Sequence, residues 1–261
     1  MTQTKHKKTL ATILFILCIV VWLFLIGRRD KSVDDLNQGL DNVDHFNQGV
    51  TYAEEGEYDR AIAEFTKAIE TDPEYAEAYN SRGAAYGAKG EYDLAISDYD
   101  KVIEMNPKDA KAYYNRGNAH NHKSEYDRAI SDYDKAIEIN PGYAMAYNNR
   151  ANAHRKKGEH DLVILDCTRA IEIDPQFADA YYNRAVAFDN KGFYDQAISD
   201  LNEALALDPA YAAAYNSRAI AHYHKGQYDQ AWADVDKAQS LGYPVHPGFL
   251  DALRKTSGTE R

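Results

Sequence analysis

The chain has 261 residues, 44% apolar and 27% charged, the composition of a folded protein long enough for one or two domains or one extended array. Its net charge of −11 is unevenly placed: residues 1–31 hold six of the 30 Lys and Arg and one of the 41 acids, leaving 24 bases against 40 acids, a net of −16, in the rest. A body that acidic repels a phosphate backbone, so nucleic acid is excluded as a partner; with Cys18 in the apolar N-terminal run and Cys167 alone beyond it, so is a disulfide within residues 32–261.

Residues 1–9 are a short basic tail containing Lys5, Lys7 and Lys8. Residues 10–27 read LATILFILCIVVWLFLIG, without a charge. As a helix this run spans ~27 Å, enough for a thin hydrocarbon core. The reading is a single-pass transmembrane anchor. A cleaved secretory signal is the rival, but Gly27, Arg28 and Arg29 make a poor cleavage site, and Leu17 before Cys18 is wrong for lipidation. Lys and Arg are balanced across the two flanks. The amino terminus and His6 tip the N-terminal side inward, which sets the remainder on the extracytoplasmic side. Residues 28–41 form a linker.

From Asn42 the chain repeats itself every 34 residues, in units 42–75, 76–109, 110–143, 144–177, 178–211 and 212–245. Position 4 is aromatic or His, position 8 is Gly or Ala, position 20 is Ala or Val, and position 32 is Pro in the first five units. Positions 1–14 and 17–30 have helical apolar spacing. Position 15, between them, is Gly except for Ser124. Asp at position 18 in every unit puts a negative charge in the first turn of the second helix, where the helix dipole favours it. Proline at 32 ends that helix. Neither helix buries its apolar face alone, so neighbouring units must stack. Position 7 is Arg82, Arg116, Arg150, Arg184 and Arg218, and position 23 is Asp98, Asp132, Asp166, Asp200 and Asp234; in the first unit they become Gln48 and Glu64. These pairs are expected to bridge the two helices of each unit.

The aromatic at 4, small residue at 8, aromatic at 11 (Tyr52, Tyr86 and Phe188, with His120, His154 and His222 departing), Ala at 20 and Pro at 32 resemble the tetratricopeptide repeat (TPR) family. The resemblance implies an all-α fold: a right-handed superhelical solenoid of six helix-turn-helix units, here preceded by one transmembrane helix. Residues 246–261 would then form a capping helix and tail, with Phe249, Leu250 and Leu253 facing inward. The resemblance also implies a concave groove lined by positions 2, 5, 6, 9, 12 and 13 of the first helices. Asn47, Asn115, Asn149 and Asn183 fall at position 6, Asn118 and Asn152 at 9, and Tyr114 and Tyr182 at 5. An Asn side chain both donates and accepts, so such a row suits an extended peptide backbone. Lys111, Arg155 and Lys156 add a basic spot.

One subgroup of the family grips a C-terminal carboxylate with Lys and Asn, then Asn, then Lys and Arg. Lys111 with Asn115, then Asn149, matches the first two parts, but Asp179 and Asn183 stand where the third belongs. His120 with His122, and His222 with His224, are two apart and point to different helix faces, so they read as core histidines rather than metal ligands. Asp98, Asp100, Asp132 and Asp134 fall at helical positions 23 and 25 and are read as structural. No phosphate loop, zinc-protease helix or nucleophile elbow is present. The sequence therefore reads as a scaffold, without catalytic residues, metal or cofactor, binding a protein or peptide partner. The alternatives are a spacer or self-associating array, and a co-chaperone adaptor with a modified clamp.

Overall fold

The break at position 15, glycine in five repeats and Ser124 in the third, cuts each repeat into two helices, and proline at position 32 follows the second helix in the first five. The computed structural model describes residues 42–258, which hold thirteen helices and no strand. In order they are α1 (42–54), α2 (Tyr58–Thr71), α3 (Ala76–Ala88), α4 (Tyr92–Met105), α5 (Ala110–His122), α6 (Tyr126–Ile139), α7 (Ala144–Lys156), α8 (His160–Ile173), α9 (Ala178–Asn190), α10 (Tyr194–Leu207), α11 (Ala212–His224), α12 (Tyr228–Ser240) and α13 (Pro247–Ser257). The tail, the proposed anchor at 10–27 and the linker lie outside the described residues. No helix among those described is long and apolar enough to cross a membrane. By its contacts the chain divides into an N-terminal body ending at Glu91 and a C-terminal body beginning at Tyr92.

The turns are built from local chemistry. Position 15 takes a left-handed backbone, with φ of +77° at Gly56 and +78° at Gly158, which glycine adopts freely. Ser124 is forced into the same region at +61°. At the other turn, position 31 is Asp or Asn in the first five repeats, and its side chain accepts from the backbone N–H two residues on. Asp72 accepts from Glu74, Asn106 from Lys108, Asn140 from Gly142, Asp174 from Gln176 and Asp208 from Ala210, at 2.9–3.1 Å. With proline between donor and acceptor, this Asx turn fixes where the next first helix starts.

Position 20 is fully buried in all six repeats, where the paired helices meet. Position 8 approaches position 24, and the two trade volume. A Cβ added to Gly49 would lie 2.6 Å from the Phe65 ring, and one added to Gly117 would lie 2.8 Å from the Tyr133 ring. Where position 8 is alanine, position 24 is smaller: Ala151 faces Cys167, Ala185 faces Leu201 and Ala219 faces Val235 in their core clusters. Burial pushes the Cys167 thiol up to about 12. The array closes on α13, where Leu253 and Phe249 cover Trp232 and Val235, and the Trp232 indole donates to Ser257 Oγ at 3.1 Å.

Charged side chains tie helices together on two levels. In the C-terminal body each position-7 arginine forks onto the position-23 aspartate of its own repeat. Arg116 meets Asp132 at 3.0 and 2.7 Å, Arg150 meets Asp166 at 2.9 and 2.6 Å, Arg184 meets Asp200 at 2.7 and 2.8 Å, and Arg218 meets Asp234 at 2.8 and 2.7 Å. The third guanidinium nitrogen reaches position 25 of the preceding repeat: Asp100, Asp134, Thr168 and Asn202 respectively. In the N-terminal body Arg82 donates to Thr66 by that same step. Arg82 and Asp98 lie in different bodies. Glu64 is engaged by Lys67 and His45, while Gln48 donates to Tyr52 Oη, so the first repeat has no equivalent fork.

A second ladder runs along the surface. Lysine at position 14 pairs with the position-18 aspartate of the preceding repeat: Lys89 with Asp59, Lys123 with Asp93, Lys157 with Asp127, Lys191 with Asp161 and Lys225 with Asp195. The position-18 aspartates thus serve neighbouring repeats as well as the helix dipole. They are largely exposed, and each such pair contributes at most about 1 kcal/mol.

Three stability measurements follow from this packing. Arg150→Ala should cost about 3–5 kcal/mol, because it strips the buried Asp166 carboxylate of its fork, and Asp166→Ala should cost less, because Arg150 keeps Asp134. Their double-mutant cycle should show coupling of at least about 1 kcal/mol, and additive losses would mean that the fork contributes nothing. Gly117→Ala should destabilise by about 1–3 kcal/mol through overpacking, and adding Tyr133→Leu should recover most of it in chemical denaturation. Ser124→Gly should raise stability by about 1 kcal/mol by relieving the left-handed serine.

Candidate partner-binding face

The first helices of the C-terminal body, α5, α7, α9 and α11, are sequential neighbours along one side of it, each in contact with the next. Position 6 on one helix reaches back 35 residues to position 5 on the helix before. The Asn149 amide donates to Tyr114 Oη at 3.0 Å, and the Asn183 amide donates to Asn148 Oδ1 at 3.0 Å. Asn149 gives its second hydrogen to Asn118 Oδ1 at 2.9 Å, and that oxygen also accepts from Tyr133 Oη at 2.8 Å. Both lone pairs of the Asn118 oxygen are thereby used, and both hydrogens of the Asn149 amide. The Asn118 amide hydrogens and the Asn149 carbonyl stay outside these bonds.

The asparagine row is therefore an internal tie as well as a surface. Asn183 is buried, Asn115 and Asn152 are half-buried, and Lys111 is exposed. Asn152 Oδ1 accepts from Arg155 at 2.8 Å. Tyr114 stacks obliquely on Tyr143 at 4.8 Å and Tyr182 on Tyr211 at 5.0 Å. Burial, with the hydrogen bond its hydroxyl donates to Asp179 at 2.8 Å, pushes the Tyr211 pKa up. His120 and His154 are buried at position 11, with Nδ1 against Glu125 at 2.7 Å and Glu159 at 2.6 Å. His122 and His224, two residues beyond His120 and His222, stay at the surface, stacked on Tyr92 and Tyr194.

Asn148 is absent from the sequence-derived set although it anchors Asn183. Position 5 carried the signal, since it alternates between aromatic and Asn: Phe46, Asn80, Tyr114, Asn148, Tyr182, Asn216. In the N-terminal body Asn47 is exposed on α1. There a cleft of about 330 Å³ is lined by Val50, Ala53, Tyr58, Phe65, Ser81 and Ala84, an apolar surface made from groove positions 9 and 12 and the second helix beneath.

Known proteins share this pattern. Models described as tetratricopeptide repeat match residues 82–144, 144–177 and 167–199, and one described as TPR repeat matches 49–90 and 190–226. Comparison with curated proteins finds no match. A crystal structure of MamA is 30% identical, covering 63% of this chain and 96% of that one with a TM-score of 0.58. YrrB, described as "a TPR protein with an unusual peptide-binding site", is 26% identical over 68% of this chain and 91% of its own, at a TM-score of 0.56. A tetratricopeptide repeat protein from Parabacteroides merdae ATCC 43184, 23% identical over 88% of each chain at a TM-score of 0.62, shares the fold. With paired helices recurring every 34 residues, repeat matches running from 49 to 226, and this likeness to nearly the whole of a MamA chain, the protein belongs to the tetratricopeptide repeat family.

Proposed function

We propose that this protein is a membrane-anchored scaffold whose first-helix face binds an extended peptide segment of a partner protein. The observation that carries the reading is the tied amide row of α5 and α7. Asn118 and Asn149 hold each other and two tyrosines, which orients their remaining donors and acceptor before any ligand arrives. Preorganised polar groups bind without the entropy cost of ordering them. The peptide-binding site described for YrrB gives the reading a relative with the same kind of ligand. Residues 10–27 supply the anchor in this proposal, with the repeats on the extracytoplasmic side.

A full carboxylate clamp is disfavoured, because the Asn149 amide is committed to Tyr114 and Asn118, and Asp179 stands where the third part would need a cation. A spacer or self-associating array is the second reading. The test is cross-linked affinity capture from membranes, comparing the full-length protein with a Lys111→Glu/Asn152→Ala variant. Neither substitution touches the Tyr114–Asn149–Asn118–Tyr133 tie, so circular dichroism melting should be little changed. The expected result is at least about a tenfold loss of captured partner, whose compartment reports the side the repeats face. Equal capture by both proteins would overturn the groove in favour of the spacer or self-association.

A further inference from the structure

Three consecutive first helices each bury a polar atom that has no partner inside the protein. Asn121 Oδ1 on α5, Arg155 Nε on α7 and Asp189 Oδ1 on α9 are shut off from solvent without a hydrogen bond. All three hold position 12 of their repeats, and α5 meets α7 as α7 meets α9. They therefore form one row along the face that carries the amides. The row is confined to these repeats, since position 12 is Ala53, Gly87 and Tyr223 elsewhere.

Folded proteins leave few buried polar groups unpaired, because desolvation is then uncompensated. Each of these three atoms belongs to a side chain that is only half-buried, and two of the three are charged and opposite in sign, so a charged ligand at this face meets under-satisfied groups. The surroundings sharpen each charge. Arg155 gives one nitrogen to Asn152 and is followed by exposed Lys156, so its spot is basic. Asp189 is followed by Asn190 and faces His224, and burial raises its carboxyl pKa. The row thus reads neutral acceptor, cation, anion.

We propose that this row reads charge register in the bound partner: an extended peptide crosses α7 and α9 with a carboxylate side chain at Arg155 and a cationic side chain three residues away at Asp189. The spacing follows from geometry. Packed helices lie about 8–10 Å apart, and a polyproline-II-like extended chain advances about 3.1 Å per residue with three residues per turn, so every third side chain meets successive helices from the same side. The Asn121 amide lies next along, on the far side of Arg155. The inference rests on the proposed peptide groove and adds the chemistry of what it selects. Charge pairs formed in a half-buried setting discriminate between partners more strongly than surface pairs do.

The test uses labelled, otherwise neutral peptides carrying one glutamate and one lysine, at every spacing up to about two helix widths and in both orders. They are titrated onto the full-length protein in detergent micelles by fluorescence anisotropy. The three-residue spacing, in one order, should bind about tenfold more tightly than the other spacings and the neutral peptide. The double reversal Arg155→Glu/Asp189→Lys should transfer that preference to the opposite order. The size-matched Arg155→Gln and Asp189→Asn variants, safer for folding, should flatten the preference without reversing it. Peptides that all bind equally, whatever their charge spacing, would overturn the register and leave the groove standing. If no peptide binds at all, both fall together.

Discussion

Each position-7 arginine of the C-terminal body, from Arg116 to Arg218, holds three helices at once. Two guanidinium nitrogens clasp the aspartate on the partner helix of the same repeat, and a third reaches the second helix of the repeat before. Only a planar group with several fixed donors can do this, and lysine could not replace it. Taking the pair out of water offsets most of its Coulombic attraction, so its main effect is on geometry. It fixes the angle within a hairpin and the offset between hairpins together. The outer acceptor changes from Asp100 and Asp134 to Thr168 and Asn202 while the hydrogen bond persists, so geometry is kept as charge is lost along the array.

Core and face are linked through one side chain. The Tyr133 ring lies fully buried against Gly117, and its hydroxyl emerges beside Asn118. Asn118 then sets the Asn149 amide, which holds Tyr114. The small residue at position 8 is thus needed for the polar surface as well as for close helix approach. In the next three repeats Cys167, Leu201 and Val235 fill the same core place and carry no hydroxyl to pass outward. The orientation of the face is therefore determined most tightly between the third and fourth repeats.

Much of this was readable because the controlling residues act locally. Glycine at 15 and proline at 32 interrupt the backbone wherever they stand, and the first and second helices begin at positions 1 and 17 accordingly. The pairing of Arg116, Arg150, Arg184 and Arg218 with aspartates could be read from two columns of matching charge. Contacts that cross from one repeat to the next were not legible. Lys123 and Asp93 are 30 residues apart, and Asn149 and Tyr114 are 35 apart, so neither pair stands out within a single unit. An asparagine at an outward helical position also looks the same in sequence whether its amide is free or tied. That is why Asn148, Asn121 and Asp189 were missed, and why the partners of Asn118 and Asn149 came only from their surroundings.

The alternation at position 5 has a consequence for how the array can grow or shrink. Phe46, Tyr114 and Tyr182 stack on aromatics at the end of their own repeats, while Asn148 between the latter two anchors an amide instead. The chemical period of this face is therefore 68 residues, twice the structural period. Gain or loss of a hairpin pair would leave every interface between like neighbours intact. Gain or loss of a single hairpin would bring two aromatic repeats, or two amide repeats, side by side. For this face the natural coin of duplication is the doublet, even though the backbone counts in single repeats.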